Sequence, residues 1–121
     1  MTLPDSTRPL TLVFGASGYV GTHLVPELLA RGKRVRAAAR SRRVLEARQW
    51  QGAEIVEADA LSPDTLDSAL AGVDTAYYLV HSMAAGKDFG RIDLEAAANF
   101  AAAAARAGVR RIVYLGGLVP A

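Results

Sequence analysis

The chain contains no cysteine, which excludes disulfides and thiolate metal sites and gives no sign of an oxidising compartment. Its two histidines, His23 and His81, stand far apart without companion ligands, a poor basis for zinc. No apolar run approaches the roughly 20 residues that a bilayer crossing needs. The opening residues, Met1 to Arg8, lack the charged and then apolar regions of a signal peptide. Residues 1–9 therefore read as a flexible leader and residues 10–121 as one domain. A cytoplasmic location with no membrane partner is expected. The chain has 121 residues, 51% of them hydrophobic and 21% charged, which suits one globular core and not two.

The net charge of +2 conceals an uneven distribution. Arg31, Lys33, Arg34, Arg36, Arg40, Arg42 and Arg43 hold half of the 14 basic residues with no acid among them, so the rest of the chain carries a net charge of −5. Two readings are open: an Arg-rich solvated turn, or an anionic partner met at one place. No aromatic residue interleaves with these arginines to stack a base, so nucleic acid is disfavoured as that partner.

Five short apolar runs alternate with helical stretches. Residues 10–15 form a continuous apolar run ending at glycine, as a strand buried on both faces reads. A helix over 19–31 follows, with Val20, Leu24 and Leu28 on its apolar face and Gly32 as its stop. Pro26 lies inside it and should bend it, at about 3 kcal/mol. Further strands are expected over 35–39, 54–57, 75–80 and 111–115, and further helices over 42–50, 62–71 and 89–107. Ser41 and Ser62 stand where a side-chain cap belongs, and Pro63 suits a first helical position. The alternation implies an α/β, Rossmann-like, doubly wound parallel sheet of five strands in the order 3-2-1-4-5, with helices on both faces. The sequence stops behind the fifth strand, whereas complete folds of this kind normally carry a sixth. A fragment, truncated after strand 5 with an exposed sheet edge prone to self-association, is expected.

Gly15-Ala-Ser-Gly18-Tyr-Val-Gly21 stands between the first strand and the first helix, the context in which glycine spacing has chemical meaning. Gly15 permits the tight turn, Gly18 lets a diphosphate approach the backbone, and Gly21 lets the helix lie close on the sheet. Free N–H groups of Ser17, Tyr19 and Val20 at the positive helix end would face the diphosphate, and the Ser17 hydroxyl is a further donor. The alternative is a strand-to-helix turn whose glycines serve packing alone. After the second strand the sequence reads Arg40-Ser-Arg-Arg43, without the acid that grips a ribose 2′-hydroxyl in NAD-binding domains. A 2′-phosphate would instead meet guanidiniums, so NADP(H) is expected in preference to NAD(H). Arg40 is the first candidate, with Arg42 or Arg43 second and Ser41 as an added donor. Asp59-Ala60 ends the third strand, either beside the adenine or as an acid in a helix-approach turn. Leu79, Val80 and His81 would pass under the adenosine ribose, unless His81 is a surface residue in a loop.

With these residues identified, the chain resembles atypical short-chain dehydrogenases/reductases on their NmrA-like and extended side. Gly15 to Gly21 match the phosphate loop, Arg40 the NADP-type second strand, and Asp59 the adenine-side acid. Tyr77-Tyr-Leu-Val-His-Ser-Met83 is similar to a bacterial NAD(P)-binding subgroup labelled nucleoside-diphosphate-sugar epimerase. The resemblance implies a reductase or epimerase acting on a small molecule. Its Tyr-x-x-x-Lys pair is missing here: none of Tyr19, Tyr77, Tyr78 and Tyr114 has lysine four residues on. Gly116-Gly117 stands where active members carry Ser or Thr. No catalytic acid, base or nucleophile is legible in the chain. An oxidoreductase or epimerase with its catalytic elements elsewhere, and a non-catalytic NADP(H)-sensing module, both remain open.

Overall fold

The computed structural model describes residues 8–80 and 89–115. The expected leader falls mainly, and His81, Met83, Gly116 and Gly117 fall wholly, outside these residues. Nine elements alternate: β1 Leu10–Phe14, α1 Tyr19–Ala30, β2 Arg34–Ala39, α2 Arg42–Ala47, β3 Glu54–Glu57, α3 Pro63–Leu70, β4 Val73–Tyr78, α4 Phe89–Ala107 and β5 Arg111–Tyr114. The strands form one parallel sheet in the order β3-β2-β1-β4-β5, as the sequence implies.

β1 is buried along its whole length, which is why it reads as a continuous apolar run. Its residues divide between two cores. Leu10, Leu12 and Phe14 join Leu66, Leu70, Phe100 and Ala103 of α3 and α4 on one face. Val13 joins Val25, Leu28 and Leu45 of α1 and α2 on the other. The alternation of side chains along a strand thus fixes which helices cover which face.

Several local expectations shift. α1 buries Gly21, Val25 and Leu28 instead of a face containing Val20, which is 42% exposed. The helix is rotated because Gly21 lies hard against the β1–α1 turn. α1 continues through Pro26, which lies on its exposed side. α2 stops at Ala47, short of residue 50, because Gln49 takes a left-handed φ of 56°. Ser41 caps α2 as expected, its Oγ accepting from Val44 N–H at 3.3 Å. Ser62 occupies the N-cap of α3 but its hydroxyl caps nothing. Its carbonyl serves instead, accepting from Thr65 N–H at 3.0 Å and Thr65 Oγ1 at 2.7 Å. β4 begins and ends two residues earlier than expected, so Leu79 and Val80 lie just beyond its end. β5 is an outer strand with all four residues exposed, the edge to which the sequence assigns self-association.

Candidate dinucleotide-binding site

The chain leaves β1 at Phe14 and turns sharply at Gly15, whose φ of +94° favours glycine. The N–H groups of Gly15 and Ala16 both donate to the Ala38 carbonyl, at 2.9 and 3.0 Å, binding the turn to β2. Leu79 N–H donates to the Phe14 carbonyl at 2.9 Å and fixes it to the end of β4. Gly18 N–H turns back to the Gly15 carbonyl at 3.2 Å, and α1 begins with Thr22 N–H on the Gly18 carbonyl at 2.9 Å. Among the described residues, no acceptor takes the N–H groups of Ser17, Tyr19, Val20 and Gly21. The first turn of α1 therefore presents unsatisfied donors at its positive end.

The three glycines are required for different reasons. A Cβ on Gly21 would stand 2.6 Å from Ala16 Cα and 2.7 Å from the Gly15 oxygen, both backbone atoms that cannot swing aside. Gly15 is constrained by its φ and by Val80 and Leu79 at 3.0–3.2 Å. Gly18 has an ordinary φ of −78°, and a Cβ there would meet only the Gly15 oxygen at 3.5 Å, a normal contact. The protein itself makes no demand for glycine at 18.

A cavity of about 740 Å³ opens at this corner. It lies at the C-terminal ends of the strands, where β1 and β4 separate connections running in opposite directions across the sheet. Of the residues singled out in the sequence, Gly15, Ser17, Gly18, Tyr19, Val20, Gly21, Arg40, Asp59, Ala60, Leu79 and Val80 line it together. Ser41 and Arg43 do not; Ser41 is committed to its helix cap. Phe14, Ala39, Ala58 and Leu61 also line it, as do Ile92, Asp93 and Ala96 of α4 and Leu115 beyond β5. Sequence reasoning missed these. Ile92 and Ala96 share a helical face with buried Phe100, but only the sheet order reveals which end of α4 reaches the cavity.

The basic cluster separates into locked and available charges. Arg31 pairs with Glu27 at 2.8 Å. Arg34 and Arg36 pair with Glu54, and Arg36 also caps α3 through the Ala69 and Ala71 carbonyls at 2.7 and 2.8 Å. Arg42 donates to the Ile55 carbonyl at 3.0 Å and lies 3.8 Å from Glu46. Arg40 has no protein partner among the described residues and lines the cavity. One further guanidinium touches the corner: Arg48, whose Nη2 donates to the Ser17 carbonyl at 3.3 Å.

Both readings of Asp59 find support in one turn. Its Oδ1 accepts from Leu61 N–H at 2.9 Å, which orders the approach to α3. Its Oδ2 has no protein partner among the described residues, and the residue lines the cavity. Asn99 of α4 secures the same turn by donating to the Ala60 carbonyl at 2.8 Å. Behind the cavity wall, Tyr78 packs against Phe14, Phe100 and Tyr114 with ring centroids 4.8–5.8 Å apart. Burial, with smaller contributions from Tyr114 and Asp93, pushes the Tyr78 phenol up to about 12. It stays protonated near neutrality and is no general base there.

A parallel sheet with a glycine corner, unsatisfied amides and a cavity at its strand ends defines a dinucleotide-binding class of protein. The chain matches the NAD(P)H-binding family over residues 15–119 and belongs to it. It is 32% identical over 108 residues to a 4-hydroxy-2-methyl-3-oxo-4-farnesyl-3,4-dihydroquinoline-1-oxide ketoreductase of Stigmatella aurantiaca, covering 87% of this chain and 32% of that one. Among solved structures it is similar to the triphenylmethane reductase of Citrobacter sp. complexed with NADP(H). The TM-score is 0.73 at 26% identity, over 89% of this chain and 37% of that one. A short-chain dehydrogenase/reductase superfamily protein from Agrobacterium tumefaciens with bound NAD gives a TM-score of 0.71, also at 26% identity, over 87% of this chain and 31% of that one. The resemblance to NAD(P)-binding reductases and epimerases read from the sequence holds. The chain spans about a third of the length of these relatives. None of the described helices is long and apolar enough to cross a membrane.

Proposed function

We propose that the chain is the NADP(H)-binding domain of a short-chain dehydrogenase/reductase-type oxidoreductase or epimerase whose catalytic elements are not among its residues. The observation that carries this reading is the first turn of α1. Three of its amides, and that of Ser17 just before it, have no acceptor among the described residues, and neither backbone strain nor packing explains a glycine at 18. A diphosphate lying across that glycine would take those donors and would leave no room for a Cβ. Asp59 and Ala60 would then flank the adenine, Leu79 and Val80 the ribose, and His81 would follow them.

The preference for NADP(H) rests on Arg40, which has no competing acid and lines the cavity at the end of β2. A hydrogen bond to a charged group contributes about 1.5–3 kcal/mol, or roughly 10- to 150-fold in affinity. Arg40→Ala is expected to weaken NADPH binding by about tenfold or more and to leave NADH nearly unchanged. Calorimetric titration of both cofactors into both proteins tests this, and equal losses for the two cofactors contradict it.

A second reading is a non-catalytic NmrA-like module that senses NADP(H). Hydride transfer from NADPH to an acceptor in the whole protein separates it from the first.

A further inference from the structure

We propose that Thr22, in the first turn of α1, is a positioning residue for the diphosphate: its hydroxyl gathers carbonyl oxygens of the glycine turn against the helix and so aims the amides at the cavity. The inference rests on the cofactor reading above and deepens it. Thr22 does not line the cavity, so it acts through the backbone alone.

A peptide unit is planar and trans, so the carbonyl of one residue and the N–H of the next point in opposite directions. Holding the Ala16 and Gly18 carbonyls therefore sets the directions of the Ser17 and Tyr19 amides. Thr22 Oγ1 stands 2.7 Å from the Gly18 oxygen and 3.5 Å from each of the Ala16 and Ser17 oxygens. A hydroxyl has one proton to donate. The Gly18 carbonyl takes the short bond, and the other two stand at the outer limit of the same donor. A threonine bonding back to the carbonyl four residues earlier is ordinary in helices. The Ala16 and Ser17 carbonyls are six and five residues back, ahead of the helix, and helix geometry alone does not bring them there.

The neighbours of Thr22 complete the arrangement. A Cβ on Gly21 would stand 2.7 Å from the Gly15 oxygen and 2.8 Å from the Ala16 oxygen, so both carbonyls are tucked against the same turn of α1. The Gly15 oxygen accepts from Gly18 N–H at 3.2 Å, and the Ser17 oxygen also accepts from Arg48 Nη2 at 3.3 Å. The carbonyls of residues 15–18 are thus turned to protein donors, while the Ser17 and Tyr19 amides have no acceptor among the described residues. Such a one-sided backbone makes a concavity for an anion. A carbonyl rotated into it would set a negative oxygen against the phosphates and withdraw an N–H. Gly15 and Gly18 resist rotation least of all residues, so this turn needs a fastening, and the Thr22 hydroxyl supplies one.

The test titrates NADPH, NADH and adenosine 2′-phosphate, which lacks the diphosphate, into the wild type and into the Thr22→Val, Thr22→Ala and Thr22→Ser variants. Valine keeps the branched shape without the hydroxyl, alanine is the better helix former, and serine keeps the hydroxyl. Thr22→Val and Thr22→Ala are expected to weaken NADPH and NADH by the same factor, about five- to tenfold, and to leave adenosine 2′-phosphate unchanged. Thr22→Ser should recover most of the loss. Undiminished binding of both dinucleotides by the valine and alanine variants overturns the inference. So does an equal loss for all three ligands, which would mean that the whole corner had shifted, and so does a loss that serine fails to recover. A wild type that binds neither dinucleotide overturns the cofactor reading itself, and this inference with it.

Discussion

β1 and β5 are parallel strands of one sheet, yet they stand in opposite circumstances. β1 lies in the middle, with all five residues buried, and both neighbouring strands hold its outgoing turn. β5 lies at the edge with all four residues exposed, Tyr114 by 60%, and offers the cavity only Leu115 just past its end. The contrast teaches where rigidity is placed. The turn that presents amides to the cavity is fixed on three sides, by Ala38, by Leu79 and by the packing of Gly21. A site for a rigid, doubly charged group needs that fixity, because donors aligned before binding lose little freedom on binding.

The contrast can be tested first by stability. Leu12→Ala in β1 should cost about 2–5 kcal/mol, whereas Val113→Ala in β5 should cost under about 1 kcal/mol. Urea denaturation of both variants measures the difference, and similar costs would mean that β5 is far better packed than its exposure indicates. Within the corner, the glycines should separate next. Gly21→Ala forces a Cβ against backbone and should cost about 1–3 kcal/mol. Gly18→Ala should cost no more than about 1 kcal/mol, yet abolish detectable dinucleotide binding. If Gly18→Ala binds NADPH normally, nothing lies across that residue.

The smallest effect belongs to Tyr78, on the strand between the two regions. Its phenol ionises at about 12 in the folded chain, against an ordinary value near 10. The unfolded chain therefore loses this proton first as pH rises. The stabilisation is complete below pH 10 and is lost between pH 10 and about 12, at no more than about 1.4 kcal/mol per pH unit. Wild-type stability should fall relative to that of Tyr78→Phe over that range, and parallel curves would refute the shift.

The sequence carried the sheet order and most of the corner, because both depend on local signals. Apolar runs alternate with helical stretches, and three glycines fall between a strand and a helix. It carried less of what depends on strand register and long-range approach. Arg36 and Glu54 are partners across β2 and β3, so a basic stretch with no acid of its own is partly neutralised by acids from elsewhere. Arg48 meets Ser17 across 31 positions of sequence, a contact that no spacing motif encodes. The apolar face of α1 was misplaced by one residue because Gly21, which carries no apolar side chain, is the most closely packed residue of its first turn. The two readings of Asp59 could not be separated in the sequence because one carboxylate has two oxygens, each with its own surroundings.

The central claim is that the amides of Ser17 and of the first turn of α1 receive a diphosphate. Backbone ¹⁵N–¹H spectra recorded while NADPH is added test it residue by residue. The account predicts that the Ser17, Tyr19, Val20 and Gly21 resonances shift most, and that they shift equally with NADH at saturation. If these four stay in place while resonances elsewhere move, the dinucleotide binds at another site and the account is wrong.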